Sequence, residues 1–314
     1  MFVGHGLVAF AIAASVAAHR GWSSERALAI GLVAGLFATL PDVDMLYAVG
    51  GLVGSLEGVF AASDAFWAAA GEVHRSATHS LAVGAVAAAG FGAWRGRSDW
   101  RLRVVAVGAL AGVAAAGAAV SGPVTGAVLA AFVLGGLGIT FFAGRLGFGT
   151  GAVFAAATLG LLTHPFGDLL TGQPPLFLYP LDLAVVGGRM TLHADPTIHL
   201  LGAFAVELAT IWLALFVLAR LRGLSLGAHV RPRAVLGASY AAAILAVPAP
   251  TLEVASPFVF SVLAVGALGV PLRAADLVDD RSWGATALVA VTTALTAVSL
   301  AALAYATVYL VVGL

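Results

Sequence analysis

Val73-His74-Arg75-Ser76-Ala77-Thr78-His79-Ser80-Leu81 packs two imidazoles, a guanidinium and a run of hydroxyls against the start of an apolar segment, 81–94. The chain around it is 61% hydrophobic and 10% charged. Ionisable groups placed where a chain enters a membrane are expensive, and they are functional candidates for that reason. The reading of this stretch as a membrane entrance follows from what surrounds it. The 314 residues have a mean hydropathy of +1.04. Apolar runs long enough for membrane helices recur along the whole chain, at about 2–18, 27–46, 79–94, 104–121, 124–143, 148–167, 198–219, 234–249, 254–272 and 284–312. Backbone groups in lipid must be satisfied within the segment, so the expected fold is all-α, a polytopic membrane protein of about ten transmembrane helices.

The first run lacks a basic region before it and a small-residue cleavage site, and reads as a retained helix. Residues 52–70, with Glu57, Asp64 and Trp67, read as an interfacial or re-entrant helix. Gly31/Gly35 and Gly108/Gly112 have the small-xxx-small spacing that lets helices approach closely, although 39 glycines produce such spacings by chance. The chain has no cysteine, so any metal is held by His, Asp, Glu or backbone oxygen. Net charge is zero, which gives nucleic acid no purchase; the expected partner is the lipid bilayer.

All fifteen basic residues are arginines. Thirteen fall in the alternate loops 19–26, 94–103, 144–147, 220–233 and 273–283, and only Arg75 and Arg189 fall in the opposite set. The positive-inside rule makes the first set cytoplasmic. The Asp276, Asp279 and Asp280 cluster, flanked by Arg273 and Arg281, then reads as a solvated cytoplasmic loop. Six of the eight histidines, all but His19 and His229, lie on the other side, together with Asp42, Asp44 and Asp168. Span counting and charge bias thus gather His5, the Pro41-Asp42-Val43-Asp44 turn, His74 with His79, and His164 with Asp168 at one membrane face.

Each segment admits a chemical role. His164 and Asp168 share a helix face and can bind one metal ion, with Pro165 loosening that argument. Asp42 and Asp44 would diverge by about 200° on a regular helix, so one is expected to ligate and the other to orient a histidine or act as a base. Arg75 can pair with a carboxylate or hold an anionic group such as phosphate. Thr78 and Ser80 are expected to cap the following helix. His193, Asp195 and His199 are weaker candidates to complete a site, and Glu207 sits inside an apolar span.

Gly4-His5-Gly6, Leu40-Pro41-Asp42-Val43-Asp44, His74-Arg75-Ser76-Ala77-Thr78-His79-Ser80 and His164-Pro165-Phe166-Gly167-Asp168-Leu169-Leu170-Thr171 occur in this order, followed by Leu178-Tyr179-Pro180. Together they resemble the pattern of the YdjM-like inner-membrane family of metal-dependent hydrolases, over roughly residues 1–182. The resemblance implies a metal-dependent hydrolase core in 1–182, with 183–314 adding further transmembrane helices. It puts metal-ligand roles on His5, Asp42, His79, His164 and Asp168, and roles at the metal or in catalysis on Asp44 and His74, beside Arg75. The cofactor is expected to be a divalent metal, Zn²⁺ for a His/Asp set, with Mn²⁺ or Fe²⁺ as alternatives. A phospholipid or lipid-linked phosphoester at the extracytoplasmic face of the inner membrane is the expected substrate. A metal-ion or proton-coupled transporter is the competing expectation, for which Glu207 and the Gly-rich helices speak.

Overall fold

The computed structural model describes residues 3–53, 58–71, 74–181, 183–246, 248–271 and 283–312. Glu57, Glu72, Val73, Asp182 and the loop cluster Arg273, Asp276, Asp279, Asp280 and Arg281 lie outside the described residues. All regular structure among the described residues is helical. The chain divides into two compact units, one of residues 1–190 with 213–221, the other of 191–212 with 222–314. The first boundary falls eight residues beyond the expected 182/183 division, and part of one long helix goes with the first unit.

In the first unit, α1 (Gly4–His19) runs into α2 (Ser24–Thr39), whose start is capped by Ser23. A 3₁₀ segment, Leu40–Leu52, continues from α2 with Pro41 at its first turn. Proline is at home there, where its missing N–H would have no partner anyway. α3 (Val59–Ala70) is about 18 Å long, too short to cross a ~30 Å hydrocarbon core, and it packs on the 3₁₀ segment. Only Ala70 of α3 is buried, while Phe60 and Trp67 are half exposed. α4 (Leu81–Arg95), α5 (Trp100–Arg145) and α6 (Thr150–Gly167) complete the unit. Phe37, Phe91 and Phe132 connect α2, α4 and α5 through ring contacts of 5.5 and 6.3 Å.

The α5 helix counts 46 residues, about 69 Å if straight and twice the hydrocarbon thickness. It is not straight. Gly122 takes φ 87°, a left-handed conformation that costs glycine nothing, and Pro123 follows it. A Cβ built on Gly126 would lie 2.6 Å from the Ala118 Cβ, and one on Gly117 would meet Leu129. Residues eight and twelve apart on a continuous helix cannot touch, so α5 is a helical hairpin. Its two arms correspond to the apolar runs at 104–121 and 124–143.

Length and apolarity alone qualify five segments to cross a membrane: Ser24–Leu52, Trp100–Arg145, Thr150–Leu170, Pro196–Arg222 and Gly284–Val312. These five, found among the described residues, include the two-armed α5 hairpin, so the expected ten spans are not reproduced by this measure; Gly4–His19, Val59–Ala70, Leu81–Arg95 and Ser256–Gly269 are shorter apolar helices. Of the two glycine pairs, Gly31/Gly35 is a true close approach: a Cβ on Gly35 would stand 2.9 Å from the Gly6 carbonyl oxygen of α1. Gly108/Gly112 faces open space.

In the second unit, α7 (Pro196–Arg222) contributes its first part. A 3₁₀ stretch Pro232–Leu245, α8 (Ser256–Ala264) and α9 (Trp283–Val312) follow. Side-chain hydrogen bonds fasten α9 here. Trp212 Nε1 donates to Ser299 Oγ at 3.0 Å, Thr292 Oγ1 donates to the His229 carbonyl at 2.9 Å, and the Arg231 N–H donates to Thr293 Oγ1 at 3.0 Å.

Candidate functional site

The helices of the first unit bring their polar ends together by alternation. The start of α1, the end of α2, the start of α4 and the end of α6 meet at one end of the bundle. At the other end the arginines collect: Arg95 Nε donates to the Phe148 carbonyl at 2.7 Å, and Arg26 lies 5.0 Å from the Trp22 ring and 5.4 Å from Phe148. His5, Asp42, Asp44, His74, His79, His164 and Asp168, drawn from four separate segments, all converge.

His79 and His164 form the middle of the cluster, both fully buried, with rings 4.6 Å apart. Their tautomers follow from their partners. His164 Nδ1 lies 2.6 Å from the Ala38 carbonyl, which only accepts, so Nδ1 carries a proton. Thr78 spends its one proton on Asp44 Oδ2 at 2.8 Å and then accepts from His79 Nδ1 at 3.0 Å, so that nitrogen is also protonated. In the neutral rings both Nε2 lone pairs therefore face inward. What they face are carboxylate oxygens. Asp42 Oδ1 is 3.5 Å from His79 Nε2 and 3.4 Å from His164 Nε2; Asp168 Oδ2 is 3.2 and 3.9 Å from the same two atoms. Lone pairs pointed at anions repel unless a proton or a cation lies between them. The Nε2 atoms of His5, His79 and His164 are all buried and make no hydrogen bond.

These separations have a definite scale. Ligands tetrahedrally arranged about 2.0–2.2 Å from one ion stand about 3.3–3.6 Å apart. The four His–Asp separations fall near those edges, and His5-His164-Asp168, Asp42-His79-His164 and Asp44-His74-His79 each have ligand atoms within 4.8 Å of one another. The charge also has a definite sign. With the imidazoles neutral, three carboxylates and one guanidinium leave two negative charges, which a divalent cation would balance. Without compensation, buried charges cost several kcal/mol each.

The two aspartates of the 3₁₀ turn divide their work across His79. Asp42, its side chain 28% exposed, faces Nε2; Asp44, wholly buried, sits 3.3 Å from Nδ1. Asp44 also receives His74 Nδ1 at 2.9 Å, which orients that less buried imidazole. His5 Nε2 stands 3.2 Å from Asp168 Oδ1. The α6 helix continues through Pro165 to Gly167, so the proline does not separate His164 from Asp168.

Of the two partners expected for Arg75, a carboxylate or an anionic group, the structure shows the carboxylate. Its Nη2 donates to Thr171 Oγ1 at 3.1 Å and lies 3.5 Å from Asp168 Oδ1, while Nη1 donates to the Gln173 carbonyl at 3.4 Å. Its backbone has φ 66°, unusual for a side-chain-bearing residue, and its carbonyl accepts from Leu176 N–H at 3.1 Å. Gly172 lies under the guanidinium so closely that a Cβ there would fall on Nη1. Arg75 thus ties the loop before α4 to the turn after α6. Ser80 caps α4 through Val83 N–H, as expected, and also donates to the Phe177 and Tyr179 carbonyls at 3.1 and 3.0 Å. Tyr179 OH reaches Ser121 Oγ at the α5 hairpin tip at 2.9 Å. Thr78 caps no helix and belongs to the site. Thr78 and Thr171 were under-read in the sequence, although both sit at fixed places in the motifs quoted above.

His193, Asp195 and His199 belong to the second unit and serve its local structure. Asp195 caps α7 by accepting from Thr197 and Ile198 N–H at 2.8 and 2.9 Å, and Tyr309 OH donates to its other oxygen at 3.2 Å. His193 and His199 accept from the Asp195 and Leu192 N–H groups. Among the described residues none of the three joins a group of metal-capable side chains. Glu207 is buried on α7, 7% exposed.

A helical membrane protein with His and Asp side chains gathered at one end of its first bundle is the class defined so far. Residues 1–255 match the model of the YdjM inner membrane protein family, and the chain belongs to that family. The match extends well past residue 182, so α7 and the 3₁₀ stretch after it are family structure too. No curated protein and no solved structure matches the chain.

Proposed function

We propose that the chain is a membrane metal-dependent hydrolase acting on a phosphoester of a lipid or lipid-linked molecule. The observation that carries this reading is the set of four inward atoms, His79 Nε2, His164 Nε2, Asp42 Oδ1 and Asp168 Oδ2, whose four His–Asp separations are 3.2–3.9 Å. These four residues would hold the ion, with His5 beside Asp168. Zn²⁺ suits a nitrogen-and-carboxylate set of this size, and Mn²⁺ or Fe²⁺ are alternatives. Such an ion supplies a Lewis acid that polarises the ester and acidifies water.

The chain's own residues supply the rest. His74, less enclosed than its neighbours and oriented by Asp44, is placed to take a proton from water and return it to the leaving oxygen. Asp44 and Thr78 fix His79. Arg75 is a positioning residue that holds Asp168 Oδ1, so that Oδ2 faces the imidazoles. The remaining opening lies at Asp42 and His74, the most exposed of the seven. The thirteen-to-two arginine bias puts this end outside the cytoplasm, near headgroup depth.

Two experiments test the reading. Metal analysis of the purified protein should find bound transition metal, and that preparation should release phosphate-containing product from phospholipid vesicles. Metal-free wild-type protein would sink the proposal; bound metal that moves across vesicles without hydrolysis would favour the transporter instead. For sidedness, an external thiol reagent should label Ser63→Cys and not Ser98→Cys, and the opposite pattern reverses the orientation.

A further inference from the structure

Between α4 and the two arms of α5, the first unit carries an apolar groove of about 310 Å³. The two α5 arms form its walls, through Val107, Ala111 and Ala114 on one and Ala130, Leu134 and Leu137 on the other, and Trp94 of α4 closes one side. From Val107 to Ala114 it rises about 10 Å, most of the ~15 Å depth of one leaflet's hydrocarbon. A convex helix face needs only bulk lipid tails to cover it. A groove with walls on three sides holds one chain.

The mouth of the groove is basic. Trp94 carries the Arg97 guanidinium 5.3 Å from its ring centre. Arg103 lies one turn before Val107, on the helix face that continues through Ala111 and Ala114. Its Nε donates to the Arg97 carbonyl at 3.2 Å, which fixes the two arginines together. Both are exposed, and so is Arg101 beside them. The one acidic side chain of this loop, Asp99, caps α5 by accepting from Arg101 N–H at 2.9 Å.

We propose that this groove is a binding site for a single anionic phospholipid from the leaflet on the arginine side. One acyl chain lies between the α5 arms against Trp94, and the phosphate sits at Arg97 and Arg103. Charge selects the headgroup, since each basic side chain near an anionic lipid surface strengthens binding about fivefold. The small residues Ala111, Ala114 and Ala130 leave the room for the chain. This site is independent of the His/Asp cluster and of any hydrolysis there.

The test is lipid retention by the full-length protein in detergent, read by native mass spectrometry during titration with phosphatidylglycerol or phosphatidylcholine. The parent should saturate near one phosphatidylglycerol per chain and keep it in preference to phosphatidylcholine. Arg97→Gln and Arg103→Gln, both at the surface, should each weaken retention about fivefold. Ala111→Trp should abolish the bound lipid by filling the groove. A brominated acyl chain should quench the parent's tryptophan fluorescence more than that of Trp94→Phe. Equal retention of both lipids, or unchanged phosphatidylglycerol retention in both arginine variants, overturns the proposal. So does quenching that does not depend on Trp94, a reading that needs no groove-filling variant to fold.

Discussion

The first unit and the second unit each hold a cluster of histidines and aspartates beside an apolar helix, and the two clusters have opposite fates. His5, Asp42, Asp44, His74, His79, His164 and Asp168 come from four segments up to 163 residues apart, and their inner atoms meet one another. His193, Asp195 and His199 are close in sequence, and each is engaged by a nearby backbone N–H at the entry to α7. Side chains that finish a helix start need nothing more. Side chains brought together across four segments, with lone pairs set against carboxylates, leave a demand that local hydrogen bonds do not meet. Distance along the chain is therefore a better guide to chemistry here than residue type.

The sharpest way to break this contrast is metal binding. Asp168→Ala and His79→Ala should each remove bound metal from purified protein, because each deletes an inward atom within 3.2 Å of another in the cluster. His193→Ala should leave metal content as in the parent. Equal metal loss in all three variants would erase the distinction between the clusters.

A smaller effect is expected from residues that hold the inward groups in place. Asp44 bonds His74 and Thr78 and flanks the far nitrogen of His79, so it governs how His79 presents Nε2. Asp44→Asn or Thr78→Val should weaken metal affinity about 10–100-fold, the usual cost of losing a partner behind a ligand, without emptying the site at saturating metal. Competition with a chelator of known affinity reads this directly. An unchanged affinity in both variants would mean that His79 is held by packing alone.

Smaller again is the effect expected at the strap. Gly172→Ala puts a methyl group where the Arg75 guanidinium lies, so it should reproduce Arg75→Gln: roughly tenfold weaker metal affinity through a loosened Asp168. The two changes combined should cost little more than either alone, since they break one contact. Additive losses would separate Gly172 from Arg75. Weakened turnover on anionic lipid with unaltered metal affinity in Arg75→Gln would restore the anion-clamp role.

The membrane class and the family were legible in the sequence because hydropathy and four ordered motifs are both local signals. Arginine bias also gathered His5, His74, His79 and His164, since alternating helices must return to the same end, but it gathered with them His193 and His199, which belong to the second unit. The α5 hairpin was legible as two apolar runs with Gly122 and Pro123 between them. Helix count was not, because several of the apolar runs fold as shorter helices, Gly4–His19, Leu81–Arg95 and Ser256–Gly269, or as the 3₁₀ stretch Pro232–Leu245, and hydropathy does not report the length of the helix that forms. Arg75 was left open for a different reason. A lone cation on the acidic side reads equally as a carboxylate partner or as an anion clamp, and only the fold shows that the turn after α6 supplies it with Asp168, Thr171 and the Gln173 carbonyl. Hydrogen-bond partners contributed by backbone, such as Ala38 for His164, leave no mark in side-chain identity.

The smallest expected effect lies in the second unit, where the comparison can be sharpened from its other side. Hydrogen bonds from the Ile198 N–H, then from Tyr309 OH and the Thr197 N–H, hold the Asp195 carboxyl below its ordinary value. A depressed value in the folded state means that the unfolded chain takes up the proton first. The cap's contribution is then present above about pH 4, the ordinary aspartate range, and fades as pH falls through the lowered folded value. Asp195→Ala should therefore lower the thermal midpoint slightly at neutral pH, and the gap from the parent should close in acid. Metal content should not move, because Asp195 spends its acceptors on α7 and Tyr309. Thermal scans at pH 7 and pH 3 beside metal analysis decide the matter, and metal loss in Asp195→Ala would make the second cluster part of the first one's chemistry.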